Sequence, residues 1–166
     1  MLGKIIRTAL AGLIMATTLS AITTTPAQAT AAYRHFKSTW ANRCLSVQGG
    51  STSNGAFVVE WGCNTTPEQK WYWSGQNIVN AKSGKCLTSD SLSRAVIWDC
   101  HDWEAPEQDW WLSSRGPQGS GEWAVVNYKT GRLLGVSLSG PTRVALYKTE
   151  VDPEGSLTTW DIYAVA

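Results

Sequence analysis

The sequence predicts an all-β fold built from three similar units that share one core. A skeleton of residues occurs three times along the chain, and each copy alternates short apolar runs with turn residues. No segment has apolar residues at helical spacing over a helical length. Because a unit of about forty residues is too small to bury a core alone, the copies are expected to surround a common pseudo-threefold axis.

The first 29 residues have the features of a secretory signal peptide. Basic residues precede an apolar run, and an Ala-Gln-Ala tripeptide ending at Ala29 offers a small-residue cleavage pattern. The alternative is a membrane anchor, but the run over residues 9–22 is shorter than the roughly 20 residues that span a bilayer. We therefore expect cleavage after Ala29, and a secreted domain over residues 30–166 with no membrane insertion.

The charge balance excludes one class of partner. Without Lys4 and Arg7 of the signal peptide, 12 of the 14 Lys and Arg residues remain, against 13 Asp and Glu. No basic stripe is present for nucleic acid or an anionic membrane, so no nucleic-acid partner is expected. The 10 tryptophans predict a Trp-rich core together with some half-exposed rings, because a buried indole N–H needs a partner.

The three copies follow one order of features. Copy one spans about residues 36–71, copy two 78–110 and copy three 125–160. Each begins with an apolar residue, followed eight positions later by Cys-Leu or Leu-Leu, then a polar loop, a second apolar run and a closing tryptophan. Turn residues divide each copy into about four short strands.

The closing motif pairs a glutamine with a tryptophan two residues later. It occurs as Gln69 with Trp71 and as Gln108 with Trp110, whereas copy three has Thr158 with Trp160. Residues two apart on a strand share a face, so we predict that the three rings meet in the core. The glutamines are expected to satisfy backbone groups of the loops beneath it.

Four cysteines in an exported chain are expected to form disulfides. They stand at matching positions of two copies, which selects the pairs Cys44–Cys63 and Cys86–Cys100. Loops of this size predict about 3 kcal/mol of stabilisation for each bridge. Copy three has Leu133 at the first of these positions and no cysteine at the second, so packing alone is expected to hold it.

The repeated combination of Cys-Leu, an aromatic residue two before the second cysteine, and Gln-x-Trp resembles the ricin B-type lectins, whose fold is the β-trefoil. The resemblance covers the chain from Phe36 to its end. It implies carbohydrate binding, with up to one shallow site in each copy, and it implies neither a metal nor a cofactor. It also implies that the residue two before the second cysteine is a ring that stacks on the sugar. Trp61, Trp98 and Tyr147 fill that position.

The carboxylate that the family usually places after Cys-Leu is missing here. Ser46, Thr88 and Gly135 stand in its place. A hydrogen bond to a charged group contributes about 1.5–3 kcal/mol, so this loss weakens a site by about ten- to a hundredfold. We hypothesise that Glu68 and Glu107, which directly precede Gln-x-Trp, supply the charge from the opposite wall. The alternative is that both are solvated loop charges.

Copy two offers two further candidates. His101 is able to donate to a sugar hydroxyl, and Trp103 is placed to form a second wall unless it packs on its own loop beside Pro106. Copy two is therefore expected to hold the best site, and copy three, with Gly135, none. The predicted carbohydrate-binding residues are Thr88, Trp98, His101, Trp103 and Glu107 in copy two, and Ser46, Trp61, Asn64 and Glu68 in copy one.

These observations favour a secreted lectin-like module that binds carbohydrate without catalysis. The alternative is a degenerate trefoil that binds a secreted protein partner, as an inhibitor or a subunit of a complex, and the missing carboxylate supports it. An enzyme is disfavoured because neither of the two histidines has a nucleophile in an evident constellation. Glu68 and Glu107 belong to different copies, so they are not expected to face each other as a glycosidase pair.

Overall fold

Short β-strands are the main secondary structure of the described residues. The structure, a computed structural model, describes residues 32–101, 105–115, 121–136, 144–147 and 158–165, so the predicted signal peptide lies outside the described residues. Within these ranges no α-helix is present, and no helix is long and apolar enough to cross a membrane. The strands are β1 (Arg34–Ser38), β2 (Cys44–Val47), β3 (Ala56–Trp61), β4 (Trp71–Ser74), β5 (Asn77–Asn80), β6 (Cys86–Ser89), β7 (Ala95–Trp98), β8 (Trp110–Ser114), β9 (Glu122–Asn127), β10 (Leu133–Val136), β11 (Val144–Tyr147) and β12 (Thr159–Ala164).

Each repeat contributes four strands, as the sequence predicted. The first and fourth strands of the repeats form a ring, with pairings β1–β4, β4–β5, β8–β9, β9–β12 and β12–β1. The ring is completed between β5 and β8 by a hydrogen bond from Trp110 N to Gln76 O at 2.9 Å. The second and third strands form the hairpins β2–β3, β6–β7 and β10–β11. This threefold arrangement is a β-trefoil, which confirms the predicted fold class.

The three closing tryptophans lie in one shared core and are essentially inaccessible to solvent. Each indole N–H finds the same partner, the carbonyl oxygen of the leucine that follows the first-cysteine position. The three hydrogen bonds run from Trp71 to Leu45 at 3.0 Å, from Trp110 to Leu87 at 2.9 Å and from Trp160 to Leu134 at 2.9 Å. The repeated bond confirms that these rings belong to the core.

The glutamines of the closing motif do not lie on strands, contrary to the prediction. Gln69 ends the 3-10 turn Pro67–Gln69, and β4 begins only at Trp71. Gln108 likewise lies in a turn, where its backbone N–H donates to Ala105 O at 2.7 Å. Both side chains are nevertheless buried. A turn before the strand, and not the two-residue period of a strand, places them under the loops.

Two disulfides fasten the hairpins of the first two repeats. Cys44 bonds to Cys63 and Cys86 to Cys100, with Cα atoms 4.9 and 5.0 Å apart, which confirms both predicted pairs. In each pair the first cysteine begins a strand and the second follows the strand beside it. In repeat three, Leu133 occupies the first position and forms a small buried cluster with two neighbours, Ala124 and Val126. Apolar packing therefore stands where the other repeats have a bridge.

One acidic residue lies at a position where the other repeats are apolar. Glu60 is only 1% exposed, and its counterparts in strand register are Ile97 and Leu146. Neither carboxyl oxygen has a hydrogen-bond partner of good geometry among the described residues. Burial raises the pKa of Glu60 and outweighs the Ser38 hydroxyl and the Arg43 charge, both of which favour the ionised form.

We predict that Glu60 makes the protein less stable as the pH rises. Its contribution to stability is fully present below the ordinary value of 4.5 and is lost as the pH rises through the raised folded-state pKa. Glu60→Gln and Glu60→Leu should therefore raise the free energy of unfolding at pH 7 by about 1–3 kcal/mol. Urea unfolding between pH 4 and pH 7 measures this. Parallel curves for parent and variants would refute it.

Candidate functional site

Two clefts, one in repeat one and one at the junction of repeats two and three, contain most of the predicted site residues. Cleft one has a volume of about 550 Å³, and cleft two of about 660 Å³. Cleft one is lined by Ser46, Trp61, Asn64 and Glu68, and cleft two by Thr88, Trp98, His101 and Glu107. Cleft two also contains Asp90, Ser93, Lys129 and Arg132, which the sequence analysis did not select. Trp103 lies outside the described residues.

Each cleft presents one exposed tryptophan ring. Trp61 pairs with Cys44 across the β2–β3 hairpin and is 61% exposed, and Trp98 pairs with Cys86 across β6–β7 and is 43% exposed. A Cβ at Gly55 would lie 3.5 Å from the Trp98 ring, so repeat one supports this ring from the side. Flat rings held open to solvent in this way offer the apolar face that stacking requires.

The buried glutamines hold the floor of both clefts. Gln69 Oε1 accepts from the backbone N–H of Asn64 at 2.8 Å, and its Nε2 donates to Gly62 O at 2.9 Å. Gln108 makes the matching bonds, from the backbone N–H of His101 at 3.0 Å and to Asp99 O at 2.9 Å. The predicted role of the glutamines is confirmed. Asn64 and His101 are equivalent in these bonds, because the backbone N–H of each donates to the glutamine of its own repeat.

Thr88 belongs to the floor of cleft two and has little exposed surface. The residue is nearly buried, and its hydroxyl donates to Cys86 O at 3.0 Å and accepts from Gln108 Nε2 at 3.2 Å. A hydroxyl has one donor and two acceptor positions, so a ligand would find at most one of them. Thr88 is therefore a weak replacement for a carboxylate in cleft two.

The two candidate glutamates each lie beside a lysine from the following repeat. Glu68 is 3.8 Å from the Lys82 ammonium, and Glu107 is 3.3 Å from the Lys129 ammonium. The glutamates thus lie in different clefts, each in the same local arrangement. Two acids so placed do not form the facing pair of a glycosidase.

Both glutamates are held in the ionised form. A bond from its own backbone amide is the main cause that lowers the pKa of Glu68, with Thr66 and Lys82 adding to it against the effect of burial. For Glu107, burial alone would raise the pKa, but its backbone amide, Lys129 and His101 together lower it. Each cleft therefore holds an ionised carboxylate at neutral pH, as a hydrogen-bond acceptor for hydroxyls requires.

Two buried asparagines, which the sequence analysis missed, tie the lysine-bearing turns to the segments that carry the glutamates. Asn80 donates to Glu68 O at 3.0 Å and accepts from the backbone N–H of Lys82 at 3.2 Å. Asn127 donates to Glu107 O at 3.0 Å at the next junction. The matching segments 80–85 (NAKSGK) and 127–132 (NYKTGR) were the available signal. Each junction is therefore tied by an amide that belongs to the following repeat.

A polar bridge also joins repeat one to the rim of cleft two. Asn54 Nδ2 donates to Asp99 Oδ2 at 2.7 Å, and the Lys85 ammonium contacts the other carboxylate oxygen. Lys85 and then Asn54 lower the pKa of Asp99. Asp99 directly follows Trp98, so this bridge fixes the backbone beside the exposed ring.

Within the described ranges, no group of three or more His, Cys, Asp or Glu side chains is arranged to hold a metal ion. The chemistry available in the clefts is therefore that of a ring, a carboxylate and a few cations and amides. Together, these features define a β-trefoil with two clefts that each expose a tryptophan ring.

Comparison with known proteins identifies the family. The model of the ricin-type β-trefoil lectin domain matches residues 32–154, and the chain belongs to this family. Carbohydrate binding is therefore its general function at the level of the family.

Individual relatives are similar to only part of this chain, at low sequence identity. Volkensin from Adenia volkensii is 29% identical over 94 residues, which cover 55% of this chain and 17% of volkensin. A seed lectin from Trichosanthes anguina is 30% identical over 76 residues, 44% of this chain and 14% of the lectin. The chain thus matches about a sixth of the length of these relatives.

Among solved structures, the designed threefold-symmetric protein ThreeFoil has a TM-score of 0.68 at 22% identity, covering 80% of this chain and 99% of ThreeFoil. The earthworm R-type lectin C-half in complex with GalNAc has a TM-score of 0.66 at 13% identity, covering 81% and 99%. At these identities the structural likeness establishes the fold alone.

Proposed function

We propose that this protein is a secreted carbohydrate-binding module that binds sugars in two shallow clefts, with cleft two the better site. The observation that carries this proposal is the repeated construction of the clefts. In each, an exposed ring (Trp61 or Trp98) and an ionised carboxylate (Glu68 or Glu107) line the same cavity. A stacking face and a charged acceptor are what a sugar needs for its C–H face and hydroxyl rim.

Several features favour cleft two. It has the larger volume, and His101 adds a donor to its wall. In cleft one, the amide oxygen of Asn64 already accepts bonds from the backbone and the hydroxyl of Thr66.

Export is supported by the two disulfides, which persist in oxidising compartments. The earthworm relative was solved with GalNAc, and a mutant of an earthworm lectin domain with 6'-sialyllactose.

The second candidate function is binding of a secreted protein partner. Large apolar side chains are exposed outside both clefts, namely Leu92, Trp111 and Tyr128. The internal bonding of Thr88 also favours this alternative, because it leaves cleft two with a weak substitute for the missing carboxylate. Glycan binding that depends on a cleft ring would favour the first function over the second.

We predict that removal of a cleft ring weakens sugar binding. Trp98→Ala should lower the affinity of cleft two by at least about tenfold, because it removes the stacking face. Trp61→Ala should act in the same way on cleft one. The matched control is Trp111→Ala, which removes a ring that is 49% exposed but lies outside both clefts. A glycan array followed by calorimetry measures the effects. Equal affinities for Trp98→Ala and the parent, or no binding to any glycan, would contradict the proposal.

The charge of Glu107 is expected to contribute separately. Glu107→Gln keeps the shape of the side chain but removes a charged acceptor, so the affinity of cleft two should fall by about ten- to a hundredfold. Glu68→Gln is the matched variant in cleft one and should leave cleft two unchanged. Calorimetric titration with the best glycan from the array gives both values. Unchanged affinity in Glu107→Gln would make Glu107 a solvated loop charge.

A further inference from the structure

Both acids that line cleft two are paired with cations other than Arg132. Asp90 is fully engaged, because Oδ1 accepts from the backbone N–H groups of Leu92 at 2.9 Å and Arg94 at 2.8 Å. Its Oδ2 accepts from Arg94 Nε and Nη2, both at 2.6 Å. Glu107 is paired with Lys129. These four side chains therefore form two pairs with no net charge.

Arg132 is the cation that remains. It lines cleft two and is half-buried, and its Nη1 donates to Ser93 Oγ at 2.6 Å. No carboxylate of the described residues pairs with it. A guanidinium has five N–H donors in a planar fork. Within the described part of the chain, the bond to Ser93 engages one of them.

Ser93 is held in an unusual conformation where it meets Arg132. Its φ of 60° lies in the left-handed region, which non-glycine residues rarely adopt. The turn is fixed by bonds from Ser93 N to Asp90 O at 3.0 Å and from Leu146 N to Ser93 O at 2.9 Å. The hydroxyl that accepts from Arg132 is therefore anchored to repeats two and three, which restrains the guanidinium within the cleft.

The other junction provides an internal comparison. Lys85 is the counterpart of Arg132 in the matching segments, and it pairs with Asp99. Asp99 follows the ring position of repeat two, whereas Lys148 follows that of repeat three in the sequence. The cation at the first junction is thus neutralised by the strand that follows it. The corresponding residue for Arg132 is basic, so the sequence has no acid at the position that neutralises Lys85.

From this arrangement we propose that cleft two binds an acidic saccharide, with Arg132 holding its carboxylate or sulfate group while Trp98 stacks on the sugar ring. The proposal rests on the proposed function and names the class of ligand. A half-buried guanidinium that pairs with no carboxylate of the described residues gains from an anion that matches its fork with two parallel hydrogen bonds. A neutral sugar has no anionic group to offer this fork.

Calorimetry with matched ligands tests the proposal. Trigalacturonic acid is compared with its methyl ester, which has no charge, and a sulfated galactose oligosaccharide is compared with its desulfated form. We expect at least one acidic form to bind about ten- to a hundredfold more tightly than its neutral counterpart. The arm that shows the preference identifies carboxylate or sulfate. Raising the salt concentration should reduce the preference.

Variants connect the preference to Arg132. Arg132→Gln should abolish it, and Arg132→Lys should retain part of it, because the charge remains while the fork is lost. Arg115→Gln is the matched control, because Arg115 is exposed and lines neither cleft, and it should leave the preference unchanged. Equal binding of charged and neutral forms, a preference that survives in Arg132→Gln, or no binding of any of the four ligands would each overturn the inference. If charged and neutral forms bind equally and Trp98→Ala abolishes both, only the acidic specificity fails. If no sugar in a broad panel binds, the proposed function fails as well.

Discussion

The structure depends on one hydrogen bond that is made three times. Each repeat buries a large indole in the shared core, and a buried indole N–H without a partner would be strongly destabilising. Trp71, Trp110 and Trp160 all donate to a leucine carbonyl at the start of the hairpin in their own repeat. The bond therefore links the barrel to the hairpins, and it fixes the position of each hairpin relative to the core.

The clefts follow from this frame. Once the hairpin is fixed, Trp61 and Trp98 lie at the ends of β3 and β7, paired with the disulfide-bonded cysteines and exposed to solvent. The turn that precedes Trp71 or Trp110 places a glutamine beneath the loop and a glutamate at its edge. In cleft two the other wall comes from Lys129 and Arg132 of the following repeat, so this cleft is completed only when repeats two and three pack.

The sequence alone predicted the contacts that form within a single repeat. The disulfides and the buried tryptophans recur at fixed spacing, so they were accessible from one chain. Lys129 and Arg132 reach cleft two from the following repeat, and a comparison confined to one copy does not reveal such contacts. Glu60 was missed because an acidic side chain is expected at the surface, whereas this one faces inward. The glutamine turn was mistaken for a strand because both place residues two apart on one side.

The central claim is that the tryptophans divide into a frame and a binding surface, and NMR of the indole N–H signals tests it most directly. The isotopically labelled protein would be titrated with trigalacturonic acid and, separately, with N-acetylgalactosamine. We predict that the signals of Trp98 or Trp61 shift, while those of Trp71, Trp110 and Trp160 stay in place. Shifts confined to the three buried rings or to Trp111, or no shift with either ligand, would contradict the account.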